Sequence, residues 1–307
     1  MPLTSFCGVS LPQVKLAELE TKLSNLEPNA HKSLYFLYSE FLIRAERNLN
    51  YKEVLKNASI TAIDGRGLEW TNQVLLNRSK ITNSRKGISL FFRAFINIFT
   101  GIWVILLNQK IAITNNEVIL GRNFIYYLFE QANLKKYKIA IIGGNQTLEN
   151  NLKKKFPGGI FKVWQTNTNS NLMRDIPEKT IIAGSYKEKY SFLNQDNLFI
   201  EFPELLGSIN FLESEKWDHI FVTIGGASGK QEFLCNQITS NPKIKFRLVT
   251  GIGAALDHLG GNNKQKQTPK ILEKLGLEWL FRIITNPRRV VRILDSVLTL
   301  WWLTSMK

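Results

Sequence analysis

HIFVTIGGASGKQE, residues 219–232, decides how this chain reads. Its first half is a short apolar run that stops at Gly225-Gly226, and a helix is predicted to begin near Lys230. A strand that ends in glycine and feeds a helix is the repeating unit of doubly wound folds. The same unit recurs along the chain. Residues 60–63 run into Asp64-Gly65. Residues 138–142 stop at Gly143-Gly144 and lead to a helical stretch over 146–156, closed by Pro157-Gly158; residues 246–250 stop at Gly251. The expected fold is therefore α/β, a Rossmann-like, doubly wound, mostly parallel sheet. Ligands in such sheets collect at the carboxyl ends of the strands. None of these turns spells GxGxxG, which disfavours an ordinary nicotinamide or flavin site.

The length, 307 residues, suffices for one large α/β domain or two smaller ones. A formal net charge of +15 points to an anionic partner: nucleic acid, phospholipid or a phosphorylated substrate. Cys7 and Cys235 lie far apart without metal-ligand spacing, so a reducing compartment is expected rather than a disulfide scaffold. The start, MPLTSFCGVSLPQVKL, has no basic segment followed by an apolar run, and a cytoplasmic protein is expected.

Two stretches fall outside the strand-and-helix alternation. ISLFFRAFINIFTGIWVILL, residues 88–107, is nearly as long as a bilayer span, yet it holds Arg93 and follows Arg78, Lys80, Arg85 and Lys86. A charge near the centre of a spanning helix costs at least ~2.5 kcal/mol. A helix lying in the membrane interface avoids that cost and brings the basic residues to anionic headgroups. A core helix packed on the sheet is the competing reading, and a true span the least favoured. At the other end of the chain, Asn286-Pro287 is a helix start. Val290, Val291, Leu294, Val297, Leu298 and Trp301 form an apolar face beyond it, and adjacent Trp301 and Trp302 suit an interface between membrane and water. A docking helix on its own domain or on a second subunit would bury the same face. The division expected is an α/β core over 1–262, with an apolar, basic-flanked insertion at about 82–112, and a helical membrane-binding appendage over 263–307.

Asp64-Gly65, Gly143-Gly144, GGASGKQE, GIGAALDHLGG and LGLEWLFRI occur in that order, and together they resemble the WecG/TagA/CpsF glycosyltransferases over roughly residues 34–294. The resemblance implies transfer of an N-acetylmannosamine-type sugar from a UDP donor to an undecaprenyl-diphosphate-linked sugar in cell-surface polymer synthesis. It also implies a metal-free reaction with no cofactor beyond the donor, and a protein peripheral on the inner face of the cell membrane. By the same resemblance Asp64 is the general base, Gln231 is the glutamine of a Pro-Lys-Gln-Glu signature in which Gly229 replaces proline, and Arg282, Arg289 and Arg292 bind the acceptor diphosphate.

The residues can be weighed against that chemistry directly. An attacking sugar hydroxyl must lose a proton, and a carboxylate within hydrogen-bond reach can take it. Asp64 stands where a strand end would present one, although Asp-Gly also serves simply to shape turns. Gly143, Gly144, Gly225 and Gly226 would let backbone N–H groups approach a diphosphate. The side-chain amide of Gln231 can both donate and accept. Asp257 either faces the nucleotide or caps the local backbone. Arginine forks suit phosphate, whereas a solvated basic face is the plainer account of Arg282, Arg289 and Arg292.

Departures from the family pattern fall in the donor pocket. Phe36 and Tyr38 stand where the family has Thr-x-Asn, Val118 and Asn123 replace an arginine and an aspartate, and Gln267 replaces another arginine. UDP-N-acetylmannosamine itself is accordingly expected to be a poor donor. A catalytically inactive, membrane-associated nucleotide-sugar binder is the alternative reading. Nucleic acid is disfavoured as a partner because the basic residues are scattered and the aromatics sit within apolar runs. His31, His219 and His258 lack ligand spacing, so no metal site is expected. Self-association is left open.

Overall fold

The computed structural model describes residues 4–6, 8–11, 14–64, 68, 119, 121–165, 193–224, 229–256, 259, 269, 272, 281 and 284–285 of the chain. The apolar stretch at 88–107 lies outside the described residues, as does most of the tail from 263 onward. A short antiparallel hairpin, β1 (Thr4–Phe6) and β2 (Val9–Leu11), leads into α1 (Leu16–Ser24). The main sheet begins with β3 (Lys32–Leu37), which is joined to β4 (Ile60–Ile63) through α2 (Ser39–Arg47) and α3 (Leu49–Lys56). Next come α4 (Gly121–Lys135), β5 (Lys138–Ile142), α5 (Gln146–Lys155) and β6 (Ile160–Trp164). The last described elements are α6 (Leu198–Glu201), α7 (Leu206–Glu213), β7 (Lys216–Val222), α8 (Lys230–Ser240) and β8 (Lys245–Gly251).

The six strands lie in the order β4-β3-β8-β7-β5-β6 and every pairing is parallel. Parallel strands of this kind must be covered on both faces, and their sequences show it as nearly unbroken apolar runs. Successive side chains alternate between two cores. Leu34, Phe36, Ile139, Ile141, Phe221 and Leu248 meet α1, α4 and α5 through Leu19, Phe129 and Leu148. Tyr35, Leu37, Ala140, Ile142, Val222 and Val249 meet α2, α3, α7 and α8 through Phe41, Tyr51, Leu212 and Phe233. The sheet is doubly wound, as its strand-to-glycine pattern predicts.

Local signals set the helix ends. Asn145 accepts a hydrogen bond from the Leu148 N–H at 2.9 Å, which caps α5, and Lys153, Lys154 and Lys155 occupy its last turn, where the dipole favours cations. Asn48 ends α2 in an extended conformation and caps α3 by accepting from the Tyr51 N–H at 3.0 Å. The predicted 146–156 helix stops at Lys155. The predicted 219–224 strand instead runs over Lys216–Val222. Its first residues, Lys216 and Asp218, are polar and escape a search for apolar runs, yet Lys216 pairs in register with Lys245.

The chain winds out to β4 on one flank and to β6 on the other, and β8, the last described strand, fills the middle between β3 and β7. A reversal of winding leaves a crevice beyond the carboxyl ends of the central strands. None of the described helices is long and apolar enough to cross a membrane.

Candidate active site at the carboxyl ends of the strands

Asp64 directly follows β4. Its N–H donates to the Leu37 carbonyl at 2.7 Å, while the Ile63 carbonyl accepts from the Ile119 N–H at 3.0 Å. These bonds carry the ladder one residue past the strand and hold the aspartate at its lip. Gly121 opens α4 against the carboxylate: a Cβ there would stand 3.3 Å from Asp64 Oδ2 and 3.0 Å from Phe36 Cγ. The carboxylate thus sits beside the first turn of a 15-residue helix, where the positive end of the dipole favours an anion. Phe36 is buried, its ring 5.7 Å from that of Phe124 in the core below α4. Tyr38 is half-buried, edge-on to Phe41 at 4.6 Å. Asn123, one of the departures from the family pattern, is exposed in the first turn of α4.

Gly143 and Gly144 follow β5 with φ of +97° and +96°, a region that side chains disfavour. A Cβ on Gly143 would stand 2.8 Å from the Thr223 carbonyl oxygen, so the tips of β5 and β7 touch backbone to backbone. The Gly143 N–H donates to the Trp164 carbonyl at 3.0 Å. Its single proton is therefore used within the sheet, and what this glycine supplies is close approach.

Gln231 is buried at the start of α8. Its side-chain carbonyl accepts from the Gly253 N–H at 2.8 Å, and its Nε2 donates to Glu232 Oε1 at 2.9 Å. The amide packs so closely against β8 that a Cβ on Gly251 would lie 2.3 Å from Nε2. An amide group carries two N–H donors, so among the described residues one remains beyond the Glu232 bond. From the other side, Thr223 Oγ1 donates to the Gly253 carbonyl at 2.5 Å. Glu232 is buried as well, near Tyr51 and Arg44. Burial pushes its carboxyl above the usual range, against the opposing pull of Arg44, Gln231 and Tyr51. Burial, and then Glu232, push the Tyr51 hydroxyl well up.

The structure therefore gathers the candidate residues into two groups. Phe36, Asp64 and Gly121 meet at β4 and β3, while Gln231, Thr223, Gly143, Gly251 and Gly253 meet at β8, β7 and β5. Asp64 and Gly143 do not meet, because β4 and β5 stand four strand spacings apart, roughly 19 Å. Gly144 lies beside Gly143, against Leu148 of α5. Gly225, Gly226, Asp257, Arg282, Arg289 and Arg292 lie outside the described residues, as do Val118 and Gln267. Sequence reasoning passed over Gly121, Thr223 and Glu232. Thr223 carries no motif, Gly121 was visible only as the glycine between the replaced positions Val118 and Asn123, and Glu232 only as the last letter of KQE.

An all-parallel, doubly wound sheet with glycines, a carboxylate and a buried amide at the strand ends is the architecture in which α/β proteins generally bind ligands beyond those ends. The chain belongs to the glycosyl transferase WecG/TagA/CpsF family, whose profile matches residues 90–307. It is thus a member of a glycosyltransferase family of cell-surface polysaccharide synthesis, one that works generally on a nucleotide-sugar donor and a lipid-linked acceptor. Gly143, Gly144 and Gln231 fall within the matched residues; Phe36, Tyr38 and Asp64 precede them.

Proposed function

We propose that this chain moves a sugar, of the N-acetylmannosamine type or a related kind, from a UDP donor to a polyprenyl-diphosphate-linked acceptor in cell-surface polysaccharide or teichoic acid synthesis. The reaction is metal-independent, with Asp64 as general base. One observation carries the reading: in a chain that matches this family, an aspartate stands at the carboxyl end of β4, beside the start of α4. The acceptor hydroxyl attacks the anomeric carbon, its proton passes to the Asp64 carboxylate, and the bond to UDP breaks. The remaining N–H of Gln231 and the backbone near Gly144, Gly225 and Gly226 orient the donor. Asp257, Phe36 and Tyr38 complete the donor side of the site. Arg282, Arg289 and Arg292 grip the acceptor diphosphate in forked pairs. The basic tail and the apolar 88–107 stretch bring the protein to the inner face of the membrane, where the acceptor lies.

A thermal-shift screen across UDP-sugars identifies the donor, and Asp64→Asn then tests the base. Transfer should fall by about 10²–10⁴-fold while UDP binding stays unchanged. Near-normal turnover in the variant removes Asp64 from the role, and a chain that binds no UDP-sugar removes the reading as a whole.

A further inference from the structure

Beneath the end of β8 runs a chain of buried polar contacts that the transfer chemistry does not itself use. Arg44 Nη1 lies 3.3 Å from the Tyr51 hydroxyl and 3.9 Å from Glu232 Oε2, and that hydroxyl donates to the same Oε2 at 3.3 Å. The arginine also stacks on the tyrosine, with its Cζ 5.0 Å from the ring centroid. From Glu232 the chain passes through Gln231 to the Gly253 N–H. The Glu232 side chain is only 1% exposed and that of Arg44 12%. Burying such groups is unfavourable unless every partner is held in place, and well-packed apolar residues would stabilise the fold as well or better. Here the partners come from three separate elements, α2, α3 and α8.

Both ends of the chain meet backbone at the carboxyl edge of the sheet. A Cβ on Gly229, whose φ is +81°, would stand 2.7 Å from the Tyr51 ring and 3.2 Å from Arg44 Cδ, so the entry to α8 is seated on this pair. Gly253 is held twice, by Gln231 through its N–H and by Thr223 through its carbonyl. We propose that Arg44, Tyr51 and Glu232 are positioning residues, which hold Gln231 and, through it, the 251–253 turn in the geometry the nucleotide-sugar site requires. The proposal rests on the transferase reading above and adds three residues that touch neither substrate.

The test uses full-length Tyr51→Phe, Glu232→Gln, Arg44→Met and Arg44→Lys. Hydrogen exchange followed by mass spectrometry reads the 252–256 segment, calorimetry reads UDP affinity, and steady-state kinetics separates donor KM from acceptor KM. In Glu232→Gln, exchange at 252–256 should rise on the order of tenfold while β5 and α5 keep their protection. UDP affinity and donor KM should worsen by a similar factor with acceptor KM unchanged. Arg44→Lys should recover part of what Arg44→Met loses. Tyr51→Phe removes a single hydroxyl, so it keeps the test valid if a harsher variant fails to fold. Variants that lower the melting temperature but leave 252–256 exchange, UDP affinity and donor KM unchanged overturn the proposal. Wild-type protein that does not bind UDP overturns the transferase reading and this proposal together. Wild type that binds UDP, with variants that bind it equally well, overturns the positioning role alone.

Discussion

The two ends of the parallel sheet are both polar, yet they handle polarity in opposite ways. At the amino ends of the strands, charges close on one another. Lys138 and Lys162 both meet Glu215, and Asp218 accepts the Lys138 N–H at 2.9 Å while pairing with Arg247 Nε at 3.2 Å. Arg247 also lies over the Tyr137 ring at 5.0 Å and donates to its hydroxyl at 3.1 Å. At the carboxyl ends, polar side chains instead grip backbone. Gln231 and Thr223 hold Gly253, and glycines let strand tips touch. Charges that neutralise each other leave little to offer a ligand, whereas side chains that fix turns create a shaped edge. The contrast agrees with where doubly wound sheets generally bind their ligands, at the carboxyl ends of the strands.

The sharpest way to break this division is through His219, at the amino end. It is 3% exposed and stacks on Phe221, and its Nδ1 has no hydrogen-bond partner among the described residues. Burial, then Arg247 and Lys135, lower its pKa from 6.5 to about 3. The unfolded chain therefore takes up a proton below pH 6.5 that the folded chain refuses until pH is about 3. Stability is full above that window and falls through it by roughly 1.4 kcal/mol per pH unit. Urea unfolding at pH 7 and pH 5 should show the loss, and His219→Phe should flatten it. A variant that keeps the full acid slope would move the effect to other groups.

A smaller effect is expected at the carboxyl end, where glycines differ in what surrounds them. Gly143→Ala places a methyl 2.8 Å from the Thr223 carbonyl at a φ of +97°, and should cost about 1–3 kcal/mol of unfolding free energy. Gly253→Ala meets nothing within 4 Å at a φ of +51°, and should cost about 1 kcal/mol from backbone conformation alone. Thermal melts of the two variants measure the difference. Equal losses would mean that the contact between β5 and β7 is looser than its geometry.

The amino-acid sequence announces these two ends unequally. Apolar runs stopping at glycine are a local signal, so the ends of β4, β5 and β8 could be read within a residue or two. Asp64 could be placed at a strand end for the same reason. The strand order could not, because nothing local tells β8 to lie between β3 and β7. That order is what separates Asp64 from Gly143 and brings Gln231 to Gly253. The Arg44–Tyr51–Glu232 contacts were equally hidden: they join residues almost two hundred positions apart, and each looks like an ordinary surface or core residue in its own segment. Phe36 shows a mixed case: its motif position could be read from the sequence, but not that its ring would lie against Phe124.

The least costly change sharpens the comparison by coupling two groups at the amino end. Arg247 and Asp218 are 21% and 26% exposed, and a pair that wet contributes at most about 1 kcal/mol. Asp218 would keep the Lys138 N–H if the arginine were lost, so Arg247→Met should lower stability at pH 7 by about 0.5–1 kcal/mol, chiefly through the lost contact with Tyr137. The same variant removes a cation that helps keep His219 neutral. With that cation gone the folded-state pKa of His219 rises, though burial, the larger cause, still holds it down; the slope above that pKa is unchanged, but the acid loss ends at a higher pH and its total is smaller. Urea unfolding of Arg247→Met from pH 7 down to pH 3 thus has two readouts, a small loss at neutral pH and an acid loss that levels off sooner than in the wild type. A large neutral loss with the levelling-off unmoved would show that the amino-end charges do more than cancel one another.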